Sequence, residues 1–420
     1  MNQLELDKTS LLAIIVSLLA DEIKALRHQS VQQTGSEYWS ESTLIGEVQD
    51  TSLLHPGQIT LGADSLELVC LATCVAIFFN IYESGVEDYL LRFKTLGEWV
   101  DLVVVARERG SKNITFATSG STGTPKQCLQ QWNALVNEAV FFAERFGPGS
   151  EQPTQRILAL SPCHHIYGFI FGTLLPAQLN VPVVRGPKAL AIIQQQRLQA
   201  GDLVVGFPFI WRQLSRQGVD FPTGITGISS TGPCDASIIR ELQIQGLDHM
   251  VEVYGSSETA GIGFRSDPDE AFHLLPRWQR SNTVDTLTEL TTGTNFVLGD
   301  HLQWQNQTHF RPAGRRDEAV QVGGLNVFPA RIAEQLQSLP EVADAAVRLM
   351  SAVEGERLKS FIVPAPGFTD SDALELRLQA WCTQNLKAAE RPKAFTFGAA
   401  MPRNAMGKLT DWSISTGLSQ

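Results

Sequence analysis

The chain has 420 residues, 43% of them hydrophobic, enough for two or three globular domains. Its 33 basic and 44 acidic residues leave a net charge of −11, which argues against an extended nucleic-acid surface while allowing a local basic cleft. The six cysteines, Cys70, Cys74, Cys128, Cys163, Cys234 and Cys382, are scattered without a Cys-x-x-Cys pair, the usage of a reduced, cytoplasmic protein with neither a disulfide framework nor structural zinc. The first apolar run, Leu11 to Ala20, is too short to span a bilayer and lacks the basic start of a signal peptide, so no membrane insertion is expected. It reads instead as an amphipathic helix capped by Thr9 or Ser10. A polar stretch from Gln29 to Thr60 follows. Asp64 and Glu67 then form a capping box heading a second helix that runs through Ile81, with Cys70 and Cys74 as small thiols on one face. Tyr89 to Val105 is a further amphipathic piece.

From about Lys112 the pattern changes to short β-like runs alternating with helices: Asn113 to Ala117, Ile157 to Leu160, Val181 to Val184, Leu203 to Gly206 and Val251 to Tyr254. That alternation predicts an α/β core with ligand loops at strand ends. A final α+β unit has strands over Ala345 to Met350 and Leu358 to Val363, then a helix from Asp372 to about Leu386. The organisation expected is thus a helical region over 1–110, an α/β core over 111–315 and a C-terminal domain over 316–420.

The most informative stretch is Thr118-Ser119-Gly120-Ser121-Thr122-Gly123-Thr124-Pro125-Lys126, directly after a β-like run. Glycines let backbone N–H groups approach a polyphosphate, hydroxyls add donors and Lys126 adds a mobile positive charge. The spacing is not that of a Walker loop, because Thr124-Pro125 separate Gly123 from Lys126. Taken alone, such a run is as readily a flexible loop. Further along, Tyr254-Gly255-Ser256-Ser257-Glu258 offers a ring for stacking on a base and a carboxylate for a hard divalent cation. Asp300, after Gly299, is suited to accept hydrogen bonds from ribose hydroxyls. Gly314-Arg315-Arg316-Asp317 and Pro402-Arg403-Asn404-Ala405-Met406-Gly407-Lys408 follow.

Taken in order, these segments resemble the adenylate-forming superfamily of acyl-CoA synthetases, aryl-acid ligases and peptide-synthetase adenylation domains. Ser230-Thr231-Gly232-Pro233 resembles its adenine-lining turn, and Pro162-Cys163-His164-His165-Ile166-Tyr167-Gly168 its histidine-bearing acid-pocket segment. The likeness covers about residues 112 to 420. It implies that ATP and magnesium are used to turn a small carboxylic acid into an acyl-adenylate, which a thiol then captures. Thr118, Ser119, Gly120, Ser121, Thr122, Gly123 and Lys126 would cradle the phosphates. Gly232, Tyr254, Ser257, Asp300 and Arg315 would bind the rest of the nucleotide, and Glu258 would hold magnesium. Lys408 would act on the attacking carboxylate, His165 would contact or gate the acid, and Asp317 would be the hinge on which the C-terminal domain moves.

Several positions depart from the family's usual text, among them Leu298, Gln321, Arg331 and Ala333. The start is also abbreviated, as in short ligases resembling phenylacetate–CoA ligase. Within it, Leu61-Gly62-Ala63-Asp64-Ser65-Leu66 is similar to the attachment site of acyl carrier proteins, so Ser65 is a candidate for phosphopantetheine, although a capping box explains Asp64 and Glu67 without it. No acid occurs from His164 to Gly172, which disfavours an amino-acid substrate. Phe169, Phe171, Phe207, Phe209 and Trp211 could line an apolar pocket or be ordinary core. The short format resembles ligases that load a hydroxybenzoate-type acid onto a carrier protein. Alternatives are a ligase using free CoA for an aryl or fatty acid, and a silent adenylate-binding or carrier-docking module.

Overall fold

The computed structural model describes residues 4–27, 35–48, 55, 57–118, 126–316, 319–351, 354–368, 370–403 and 409–414. The described residues through Trp278 form one compact unit and those from Gln279 a second. Among the described residues no helix is long and apolar enough to cross a membrane.

The first unit begins with α1 (Lys8–Arg27), which buries Leu11, Ile14, Ile15, Leu18, Leu19 and Ile23, one face of a 3.6-residue repeat. Its cap is Asp7, whose carboxylate accepts from Ser10 N at 2.7 Å. Thr9 and Ser10, the expected caps, lie inside the first turn instead. The start is also not wholly helical. Inside the polar stretch, β1 (Leu44–Gly46) pairs in parallel with β2 (Thr60–Ala63), burying Ile45 against Leu61 and Ala63. Then come α2 (Ser65–Phe78) and α3 (Leu96–Glu108). Both carry full capping boxes, Asp64 with Glu67 and Thr95 with Glu98. Arg27 reaches from α1 to grip the Glu67 carboxylate at 2.6 and 2.7 Å, tying the two helices together.

An antiparallel hairpin follows, β3 (Ile114–Thr118) with β4 (Lys126–Gln130), in a register that sets Thr118 opposite Lys126. After α4 (Trp132–Phe146) the chain builds a parallel sheet: β5 (Arg156–Ala159), β6 (Val183–Arg185), β7 (Asp202–Gly206), β8 (Thr226–Ser229) and β9 (His249–Ser256). Between them lie α5 (Ile166–Phe169), α6 (Leu175–Leu179), α7 (Gly186–Gln194), α8 (Pro208–Gln217) and α9 (Ala236–Ile244). Every residue of β7 and β8 is buried, as expected where helices cover a parallel sheet. β10 (Ala260–Arg265) and β11 (Phe272–Leu274) extend it antiparallel. The strand order β6-β5-β7-β8-β9 reverses direction between β5 and β7, and crevices at the carboxyl ends of such strands are where open α/β sheets bind ligands.

In the second unit, after β12 (Trp278–Arg280), β13 (Thr286–Glu289) pairs with β14 (Asn295–Val297), and β15 (Asp300–Trp304) with β16 (His309–Arg315). β17 (Val320–Val322) and β18 (Leu325–Val327) form a hairpin on Gly323 and Gly324, whose φ angles of 59° and 84° suit a tight turn that only such residues adopt readily. α10 (Pro329–Gln337) and α11 (Ser371–Asn385) pack on a sheet of β19 (Val342–Leu349), β20 (Leu358–Pro364) and β21 (Ala394–Phe397). The chain is therefore a mixed α/β protein with a small α+β C-terminal part.

Candidate active site

Four loops leave the carboxyl ends of neighbouring strands in the first unit: His164–His165 after β5, Phe207 after β7, Ser230 to Gly232 after β8, and the Tyr254 to Glu258 turn at the end of β9. Against that turn stands the hairpin arm. Lys126, the first residue of β4, places Nζ 2.8 Å from Glu258 Oε1. Both side chains are about half-exposed, so the contact is accessible to solutes. Partial burial pushes the Glu258 carboxyl up, but hydrogen bonds led by that from Lys126 outweigh it and hold the group below the usual carboxylate range. The same bond raises the Lys126 ammonium.

Gln130, four residues further along β4, is 5% exposed. Its Nε2 donates to the backbone oxygens of Ser257 at 2.7 Å and Glu258 at 2.9 Å. The hairpin therefore holds the backbone of the turn, while Lys126 holds its carboxylate. Sequence reasoning missed Gln130. Gly255 admits no side chain, because an added Cβ would lie 2.2 Å from Ala260 O. The Tyr254 ring is tilted 5.7 Å from that of Phe272. Ser230 Oγ donates to Val253 O at 2.7 Å, tying the turn containing Gly232 to the strand carrying Tyr254.

The two histidines differ. His164 is 9% exposed, and its Nδ1 meets Ser17 Oγ of α1 at 2.8 Å. Burial drives its imidazole well below the ordinary value, so it is neutral near pH 7. His165 is exposed, with its ring 4.2 Å from that of His164. Of the five aromatics that could line an acid pocket or be ordinary core, Phe169, Phe171 and Trp211 are fully buried core. Phe169 packs on Phe116 and Phe171 on Phe142, leaving half-buried Phe207 and exposed Phe209 as surface candidates.

A second missed group is Glu138 of α4, 3% exposed, whose carboxylate accepts from Gly261 N at 2.8 Å with Arg277 4.0 Å away. Burial pushes this carboxyl up to about 7. Trp278 Nε1 donates to Gly261 O at 2.7 Å, so the strand following the turn is fixed from both sides.

In the second unit, Asp300 and Arg315 are directly paired across β15 and β16, with Arg315 Nη1 3.6 Å from Asp300 Oδ1. Ser119, Gly120, Ser121, Thr122, Gly123, Asp317 and Lys408 lie outside the described residues, and of Thr118 only its register is described. Among the described residues no group of three or more His, Cys, Asp or Glu could hold a metal. A lone carboxylate at Glu258 fits magnesium carried mainly by nucleotide phosphates, not an all-protein cage. Ser65 is exposed at the first position of α2. Its neighbours Asp64 and Glu67 are fully accounted for by capping and by Arg27.

Residues 113–291 match the family described as AMP-binding enzyme, and residues 331–408 match the AMP-binding enzyme C-terminal domain. A 4-coumarate–CoA ligase of Halorhodospira halophila is 40% identical over 349 residues, 83% of this chain and 87% of that protein. A 4-coumarate–CoA ligase of Cereibacter sphaeroides is 37% identical over 413 residues, 97% of each chain. Among solved structures, an o-succinylbenzoate CoA synthetase from Bacillus subtilis superposes with a TM-score of 0.57 at 18% identity, over 95% of this chain and 91% of that one.

Proposed function

The chain belongs to the AMP-binding enzyme family, an AMP-forming acid–thiol ligase, and from that premise we propose that it activates a hydroxycinnamate-like aryl acid and passes it to free CoA. The coarse activity is ATP-dependent activation of a carboxylic acid. In the finer reading, the acid's carboxylate attacks the α-phosphate, pyrophosphate leaves, and the CoA thiolate then displaces AMP from the acyl-adenylate. The Lys126–Glu258 contact at 2.8 Å supports the adenylation step of this reading, setting a cation and a carboxylate side by side at a strand end with the backbone latched by Gln130, while the choice of acid and of CoA rests on the relatives.

In this reading Lys126 would turn from Glu258 to the β- and γ-phosphates, and Glu258 would be the residue that holds magnesium. Magnesium would supply screening of the phosphates' charge. Tyr254 stacks on adenine, the Gly232 turn lines the base and Ser257 adds a hydroxyl. Asp300 accepts from the ribose hydroxyls with Arg315 beside it, and Lys408 steadies the attacking carboxylate. His165 faces the acid. Such catalysis is chiefly positioning plus charge neutralisation. The names of the relatives favour a hydroxycinnamate over a hydroxybenzoate, and CoA over the carrier protein or a phosphopantetheine on Ser65.

ATP–pyrophosphate exchange with 4-coumarate, 4-hydroxybenzoate and a medium-chain fatty acid tests the acid. Thioester formation with CoA and with a phosphopantetheinylated carrier, run side by side, tests the acceptor. Fastest exchange with 4-coumarate and product only with CoA is expected. Product only on the carrier would reverse the acceptor, and no exchange with any acid would favour a binding module instead.

A further inference from the structure

The last described segment, residues 409–414, is fastened to the C-terminal sheet by an uncommon arrangement of charge. Arg348 on β19 and Lys359 on β20 stand directly opposite each other in the antiparallel register. Like charges at one cross-strand pair weaken a sheet unless something neutralises them. Lys359 is moreover only 1% exposed, and a buried ammonium is tolerated only when its donors are satisfied. They are. Its Nζ donates to Trp412 O at 2.7 Å, to the two Glu354 carboxylate oxygens at 3.0 and 3.1 Å, and to Asp411 Oδ2 at 3.2 Å. Arg348 donates through Nη2 to Leu409 O at 2.9 Å and lies 3.7 Å from Asp411 Oδ1. Asp411 therefore bridges two cations that would otherwise repel. Trp412, 7% exposed, has its ring 5.5 Å from each cation and edge-on to Phe361.

Lys408 is joined to Leu409 by one peptide bond. A lysine on a long flexible stem reaches one atom reproducibly only if its backbone is fixed, and misplacement of a reacting group by about an ångström costs up to ~100-fold. We infer that Arg348, Lys359 and Asp411 are positioning residues for Lys408. They anchor Leu409, Asp411 and Trp412, which directly follow Lys408 in the chain, so adenylation depends on them while transfer from a finished adenylate to the thiol does not. The inference rests on the reading of Lys408 as the adenylation lysine. A clamp that merely tied down a tail would alter stability without separating the two half-reactions.

The test uses the full-length protein with Asp411→Asn, Asp411→Glu, Trp412→Phe and Lys408→Ala. Adenylation is read by ATP–pyrophosphate exchange, and transfer by thioester formation from chemically made 4-coumaroyl-adenylate and CoA. Asp411 is 65% exposed, so asparagine is accommodated without unfolding. Asp411→Asn is expected to slow exchange roughly 10- to 100-fold, like a milder Lys408→Ala, while transfer stays within about twofold of wild type. Asp411→Glu should restore most of the exchange, and Trp412→Phe, which keeps the aromatic contact with Phe361, should remain near wild type. Equal loss in both half-reactions, or wild-type exchange in Asp411→Asn beside a slow Lys408→Ala, would overturn the inference. Wild-type exchange in Lys408→Ala would instead remove its premise.

Discussion

Gln130→Leu removes a group that touches neither substrate nor metal in the proposed reaction, yet it should weaken the site. The amide donates two hydrogen bonds, to Ser257 O and Glu258 O, from a side chain almost wholly out of water. Each neutral bond is worth ~0.5–1.5 kcal/mol net, so the pair could contribute ~1–3 kcal/mol. Ser257 is half-buried and Glu258 exposed, so their carbonyls can turn to water when abandoned. The lower part of that range, ~1–2 kcal/mol, is therefore appropriate, or roughly a 5- to 30-fold effect on steps that need Glu258 in place. The assay is ATP–pyrophosphate exchange across magnesium and ATP concentrations. Expected are a higher magnesium requirement and a lower kcat/KM for ATP, with KM for the acid unchanged. Gln130→Glu adds a sign test. Its carboxylate cannot donate to two carbonyl oxygens, whereas the protonated acid can donate to one, so its activity relative to wild type should rise as pH falls. Wild-type magnesium dependence in Gln130→Leu would refute the latch.

Glu138 has a folded pKa of about 7, raised by burial, so its stabilising contribution is complete below the ordinary carboxyl value and is lost as pH rises through about 7. Glu138→Gln keeps an acceptor for Gly261 N and should flatten that slope, as read by urea midpoints at about pH 5 and about pH 8. Ser17→Ala strips the partner from His164 Nδ1, and through the adjacent ring should raise KM for the acid by ~5-fold while leaving KM for ATP alone. Gly255→Ala would drive a Cβ to 2.2 Å from Ala260 O, and it should lower stability by ~1–3 kcal/mol in urea unfolding and abolish exchange.

What was legible in the sequence was whatever is written locally. The α/β alternation showed in runs such as Leu203 to Val205 of β7, apolar because that strand is wholly buried, whereas β8 is equally buried but reads Thr226-Gly227-Ile228-Ser229 and offers no such run. The capping box at Asp64 spans four residues, and it was read correctly. β1 was not, because two apolar residues inside a long polar stretch give no period to detect. Asp7 lost to Thr9 and Ser10 because all three residue types cap well and only geometry separates them. The aromatics stayed ambiguous between pocket and core because a ring has the same letter whether it faces a ligand or a core. Gln130, Glu138 and Ser17 were out of reach for another reason. Their partners lie 127, 123 and 147 residues away along the chain, distances at which no local pattern survives.

These long-range contacts divide into two kinds that serve different ends. An ion pair between half-exposed groups such as Lys126 and Glu258 is worth only ~0–1 kcal/mol, because water screens both charges. Polyphosphate and a divalent cation carry more charge than either partner, so exchanging this pair for them costs little. The Gln130 bonds are neutral and donated by a buried amide, so the charges of phosphate and magnesium act on them far less than on the ion pair. Backbone geometry is thus held by bonds that a ligand's charge disturbs little, while the charges stay free to change partners. Had the two roles been reversed, with a buried ion pair fixing the turn, binding would have to strip a desolvated charge of its partner, a loss of ~3–5 kcal/mol before any substrate contact formed.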